Sequence, residues 1–374
     1  MSKKQWIVGL VVLAALIGLV LWGRERIHFD FGHFWSQFAT ADWRRILIAL
    51  GCIYLAYVFR SARWALLLRH NQRVPVLSLL GTQVIGFTGV ALIGRVADLV
   101  RPYLVAKKTG LALSSQIAVY IVERLFDMGS MALILSLALL ILPQEDASRA
   151  TNLLISHSGV LSHAPSQLAP LLARYGGLIL TLLGGLFLVA VRVGGDAVAG
   201  FFEHLLGLVS KRAGQVVGSK IRSFHTGLDT IRSFSDLAAT ASLSLAMWGL
   251  ITTAYFEIMR AFVTSAPLAT ISFSKCVLLM VVSGGASVLQ LPVLGWFTQI
   301  GIVAFAMTTA FFGVPAEPAT ACAATLLLIT FLGIVPVGLV WAQIENVSLR
   351  KVAAQSEQAE EELADKVVPG SAVN

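Results

Sequence analysis

Apolar runs recur along this chain at close to the length needed to cross a lipid bilayer, and no other feature restricts its fold as strongly. They extend from Trp6 to Trp22, Ile46 to Phe59, Leu77 to Gly94, Ile117 to Leu142, Leu178 to Val191, Leu237 to Phe262, Lys275 to Leu291, Trp296 to Phe312 and Ala319 to Trp341. A helix rises about 1.5 Å per residue, so about 20 apolar residues cover a hydrocarbon core roughly 30 Å thick. Backbone groups in that core need internal partners, and runs of this length find them as helices. Composition agrees: 57% of the 374 residues are apolar and 13% charged, against roughly half and a quarter in soluble domains. The expected fold is an all-α membrane protein, a polytopic helical bundle with residues 1–350 as one integral membrane domain and 351–374 as a polar cytoplasmic tail.

Lys3 and Lys4 precede the first run, which has no small-residue cleavage site before Arg24 and reads as an uncleaved signal anchor. If Leu77 to Gly94 crossed outright, Arg95, Arg101, Lys107 and Lys108 would lie outside, against the positive-inside bias. A re-entrant hairpin resolves the conflict, with Leu99 to Ala106 leading the chain back to the face it entered from. The inside loops then hold 19 Lys or Arg and the outside loops 8, which expects both termini in the cytoplasm of a bacterial inner membrane. Lys275 to Phe312 becomes a second hairpin from the opposite face, and each hairpin ends at a glycine, Gly110 or Gly313, before a full span. Two readings stay open: an inverted-topology repeat of the kind that frames a midplane site in transporters, or coincidence between apolar strings.

Residues 194–236 form a basic cytoplasmic segment in which Val217, Ile221, Phe224, Leu228 and Ile231 make a helical stripe. It lies on an anionic leaflet or packs against the bundle. Glu357, Glu360, Glu361, Glu362 and Asp365 mark a solvated tail. Cys52, Cys276 and Cys322 stand singly, and the seven histidines form neither metal-ligand spacing nor a hydrolytic motif. No nucleotide-binding loop is present either. The expectation is a chain that is not an enzyme and has no cofactor, metal or nucleic-acid partner.

Ionisable groups at membrane depth are costly and point to function. Arg95, Asp98 and Arg101 recur every three residues in the run Gly94 to Pro102 and share a helical face suited to a lipid phosphate, since guanidinium forks match phosphate oxygens. Glu123, Arg124 and Asp127 follow near the cytoplasmic start of a span, with the carboxylates one turn apart and positioned to pair with Arg95 and Arg101. These pairs either pin the hairpin to the bundle or also hold a headgroup, and the six residues form the candidate lipid-headgroup site. Arg101 precedes Pro102, which disfavours helix at that position and expects the backbone to open there. Glu257 and Arg260 read as a local ion pair.

The run Gly94-Arg95-Val96-Ala97-Asp98-Leu99-Val100-Arg101-Pro102, followed by Lys107-Lys108-Thr109-Gly110-Leu111 and Glu123-Arg124-Leu125-Phe126-Asp127, resembles the signature of the lysylphosphatidylglycerol synthase transmembrane-region family. The resemblance implies a helical bundle with re-entrant elements and, from its best-understood members, movement of aminoacylated phosphatidylglycerol between leaflets. Relatives usually carry Pro-Gly-Gly-x-Gly followed by Arg-Glu in the second half. Here Leu291-Pro292-Val293-Leu294-Gly295-Trp296-Phe297-Thr298-Gln299 replaces it, without the charged pair. The expected function is a flippase-like translocator of an anionic phospholipid or lipid-linked intermediate. The alternative is a membrane anchor or partner of an envelope glycosyltransferase or lipid-modifying enzyme.

Overall fold

The computed structural model describes residues 29–143, 169–207, 233–286 and 294–348, with isolated positions between them, and every regular element among these is helical. The signal-anchor run, most of the amphipathic stripe and the acidic tail lie outside the described residues. Among the described residues the α-helices of ten residues or more are α1 (Phe31–Thr40), α2 (Trp43–Leu68), α3 (Val76–Ile93), α4 (Val100–Thr109), α5 (Leu113–Ile141), α6 (Ala169–Gly207), α7 (Phe234–Ala261), α8 (Phe273–Ala286), α9 (Leu294–Thr308), α10 (Ala316–Thr330) and α11 (Val335–Ile344). By length and composition α2, α3, α5, α7 and the joined pair α10–α11 are each able to cross a membrane. A further candidate is α6, whose limbs Leu182–Val191 and Gly194–Gly207 meet at a bend of 114°. The chain is an all-α, multi-pass membrane protein.

The core is an antiparallel pair, α2 and α7. At one end the Asp42 amide donates to the Ala261 carbonyl at 2.8 Å. At the other end Asp236, which caps α7 through a reciprocal bond with Ser233, takes an ion pair from Arg69 and lies 2.7 Å from His70 Nε2. Ala49, Ile53 and Tyr57 of α2 pack with Ala254, Tyr255 and Ile258 of α7, and α8, α9 and α10 complete this cluster. α2 is longer than the apolar run Ile46 to Phe59 suggested. It continues through Arg60 and Arg63, which the charge count had placed in a loop. Arg63 is 1% exposed because α5 and α7 supply polar partners for it.

α3 runs into a short 3-10 turn, Arg95–Leu99, and then α4. Gly94 makes the break with φ 95° and ψ −166°, a region that only glycine occupies cheaply. The chain folds back far enough for Lys108 Nζ, near the end of α4, to donate to the Ser78 carbonyl at the start of α3 at 2.7 Å. α4 includes Arg101, contrary to the expectation that Pro102 would open the backbone there. Pro102 is the third residue of α4, where its missing N–H has no intrahelical acceptor to lose. The α8–α9 segment closes in a similar way, Lys275 Nζ donating to the Phe311 carbonyl at 3.1 Å. Gly110 and Gly313 both take left-handed conformations after these segments.

The two closures lie at opposite ends of α5. Gly110 immediately precedes the start of α5, whereas Phe311 packs on Leu139 and Leu142 at its far end. Lys275 also pairs with Asp146, just beyond that end, at 3.3 Å. At 29 residues, α5 separates the closures by about 43 Å. Between them the segments meet where Trp296 Nε1 donates to the Ala91 carbonyl in the last turn of α3 at 3.2 Å.

Candidate functional site

Glu123 and Asp127, one turn apart on α5, are both buried and draw arginines from α2, from α4 and from α5 itself. Arg63 of α2 reaches Glu123 through Nη2 at 2.8 Å and Asp127 through Nη1 at 2.6 Å, and Nη1 also meets Ser244 Oγ at 2.7 Å. Arg101 of α4 holds Glu123 at 3.2 Å and donates to Gln83 Oε1 of α3 at 3.2 Å. Arg124 contacts Glu123 at 3.1 Å and Asp127 at 3.0 Å. Trp248 Nε1 of α7 donates to Asp127 at 3.3 Å. One planar fork on α2 thus joins two carboxylates of α5, a geometry suited to guanidinium and not to a lysine ammonium.

Aromatic rings wall the network. The Arg60 and Arg101 guanidiniums lie 4.3 and 4.4 Å from the Phe87 ring centroid, and Arg101 also lies 5.1 Å from Tyr120. Such contacts offset part of the cost of burying a cation. Arg101 can cross α3 because Gly86 has no side chain: a Cβ there would meet Arg101 Cγ at 2.0 Å. Among the described residues, Arg101 Nε and Nη2 make no hydrogen bond.

Beside this network lies a cavity of about 230 Å³. Arg60, Asp98 and Arg124 line one end, and Tyr57, Phe87, Trp248 and Ile251 are also on its wall. Tyr255, Ser283, Gln299 and Thr330 supply further polar groups, drawn from α7, α8, α9 and α10. Arg60 is the least tightly held of the four arginines. Its Nε stands 4.0 Å from Glu123 and 3.4 Å from the Met247 sulfur, a weak acceptor.

Of the six residues read from sequence, Asp98 and Arg124 line the cavity, while Arg101, Glu123 and Asp127 are packed into the network next to it. The Arg95 side chain lies outside the described positions. Asp127 is held by Arg63 and Arg124, and not by Arg101 as expected. Arg60 and Arg63 went unread because charges ended the apolar run, although Trp64 to Leu68 resume it on the same helix. The expected Glu257–Arg260 pair does not form. Glu257 pairs with Arg45 of α2 at 2.7 Å, and Arg260 donates to the Ala269 carbonyl at 3.1 Å, because closer partners stand on neighbouring elements.

Searching curated proteins finds no match to the chain. The family model described as the lysylphosphatidylglycerol synthase TM region matches residues 6–338. That range takes in the Arg60–Arg63 pair, the Gly94 break, the buried carboxylates and the cavity wall, so the chain belongs to the lysylphosphatidylglycerol synthase transmembrane-region family.

Proposed function

We propose that this chain is a flippase-like translocator in a bacterial inner membrane, moving an anionic phospholipid or lipid-linked intermediate between leaflets. The observation that carries this reading is the charge balance at the basic end of the cavity. Among the described residues there, four guanidiniums (Arg60, Arg63, Arg101 and Arg124) stand with three carboxylates (Asp98, Glu123 and Asp127), leaving one positive charge in excess. An unbalanced charge at membrane depth is expensive, and a phosphodiester entering beside Arg60 and Arg124 neutralises it. The reading is of a carrier, with no covalent step assigned to any residue. It is tested by reconstituting the purified protein in liposomes with fluorescent anionic lipids and following their accessibility to an impermeant quencher. Rates equal to those of protein-free liposomes would sink it.

In this reading α3–α4 and α8–α9 are re-entrant hairpins of an inverted repeat. Their closures at opposite ends of α5 and the contact between Trp296 and Ala91 support that assignment. Lys107 and Lys108 face the cytoplasm, on the side favoured by the basic loops. In a cysteine-free background an impermeant thiol reagent should label cysteine at the exposed position Ala310 in intact cells and leave cysteine at the exposed position Lys107 unlabelled. Labelling at Lys107 from outside would end the assignment.

A further inference from the structure

The cavity has a second end of different chemistry. α2 lines it with Ile53, Tyr57 and Arg60, and α7 with Trp248, Ile251 and Tyr255, each at helical spacing. Because the helices are antiparallel, Arg60 lies by Met247 while Ile53 packs in one cluster with Tyr255, seven residues further along. Seven residues of helix place the second end about 10 Å from the first. There the Tyr255 hydroxyl donates to Ser283 Oγ at 2.9 Å and Gln299 Nε2 donates to the same oxygen at 3.1 Å. All three side chains are buried, come from three helices and line the cavity. No acidic residue lines this end among the described residues.

We propose that this end is a second subsite that reads hydroxyl groups lying beyond the phosphate, so that the site selects anionic lipids with an uncharged polyol or sugar headgroup over those ending in an ammonium. The inference rests on the translocator reading for its phosphate end. Hydroxyl and amide groups both donate and accept, which matches the two-way hydrogen bonding of a sugar or glycerol hydroxyl. An ammonium placed there gains only dipoles and no counter-charge, too little to replace its water. The spacing suits a headgroup that extends past its phosphate. A bare phosphomonoester reaches the arginines alone.

Binding to the full-length protein in detergent tests this without requiring transport. The probes are dihexanoyl phosphatidylglycerol, phosphatidylinositol, phosphatidic acid and phosphatidylethanolamine, with affinity read from ligand-dependent shifts in melting temperature. The two hydroxylated lipids should bind about three- to ten-fold more tightly than the other two, the scale of one or two neutral hydrogen bonds. Whichever of the two binds more tightly separates a ring from a short polyol. Ser283→Ala and Gln299→Leu should each bring the ratio of phosphatidylglycerol to phosphatidic acid affinity down to about one. If Gln299→Leu does not fold, Ser283→Ala, which removes a single oxygen, decides. Equal affinity for all four lipids, no binding of any, or an undiminished preference in the folded variants would overturn the subsite. A protein that moves every anionic lipid in liposomes at one rate keeps the translocator and loses the subsite, whereas selective binding without movement does the reverse.

Discussion

Arg63→Met should lower stability by about 3 to 5 kcal/mol, the usual consequence of leaving a buried charge without its partner. Among the described residues, Arg63 is the one side chain that bridges Glu123 and Asp127 from another helix, and it ties both to Ser244 of α7. Among the described residues, its loss leaves Asp127 with the Arg124 guanidinium and the Trp248 indole as its close partners. The measurement is melting in detergent alongside the yield of monodisperse protein, and both should collapse together. Arg63→Met combined with Asp127→Leu should recover a large part of the loss, because replacing a buried pair with apolar groups of similar volume is often close to neutral. Arg63→Lys should fall between wild type and Arg63→Met, since one ammonium keeps the charge without the fork that spans two carboxylates. A single variant that melts with wild type would show that the network does not hold α2 to α5.

Much of this arrangement was legible in the sequence, and the remainder was hidden for identifiable reasons. Period and length exposed the spans, because lipid imposes the same demand on every crossing segment. Glu123 and Asp127 were readable as one unit because their spacing is local to a helix turn. Their main partner was not, since Arg63 lies 64 residues from Asp127 and nothing in local spacing encodes that pairing. The Ser61-Ala62 step and the resumption at Trp64 offered the available signal: arginines inside a continuing apolar helix and not after its end. Arg101 illustrates the opposite error. The rule for residues preceding proline is a tendency, and at the first turn of α4 the helix start outweighs it. The far end of the cavity carries no such signal in charge, because Tyr255, Ser283 and Gln299 are uncharged residues set within apolar runs. Uncharged polar side chains at those positions were nevertheless the visible mark, each of them needing a partner once buried.

Arg60→Gln should separate function from folding where Arg63→Met cannot. Both arginines sit on one face of α2, three residues apart, yet their surroundings differ. Arg63 makes close bonds to two carboxylates, whereas Arg60 stands 4.0 Å from the nearest one, rests against Phe87 and opens on the cavity. A buried cation this weakly paired recovers little of its desolvation cost from its partners, so removing its charge should cost the fold far less than removing Arg63. For a bound phosphate the loss is larger. A hydrogen bond to a charged group contributes about 1.5 to 3 kcal/mol, so lipid translocation at subsaturating lipid should fall about ten- to a hundred-fold. Arg60→Lys should retain part of the rate, since a point charge still attracts phosphate but offers no planar fork. The two quantities are measured on the same preparations: melting temperature in detergent and the rate at which a fluorescent anionic lipid changes leaflet in liposomes. If Arg60→Gln melts normally and moves lipid at the wild-type rate, Arg60 is no phosphate ligand and the excess charge beside the cavity has another use. If melting and movement fall together, Arg60 belongs with Arg63 among the residues that hold the bundle.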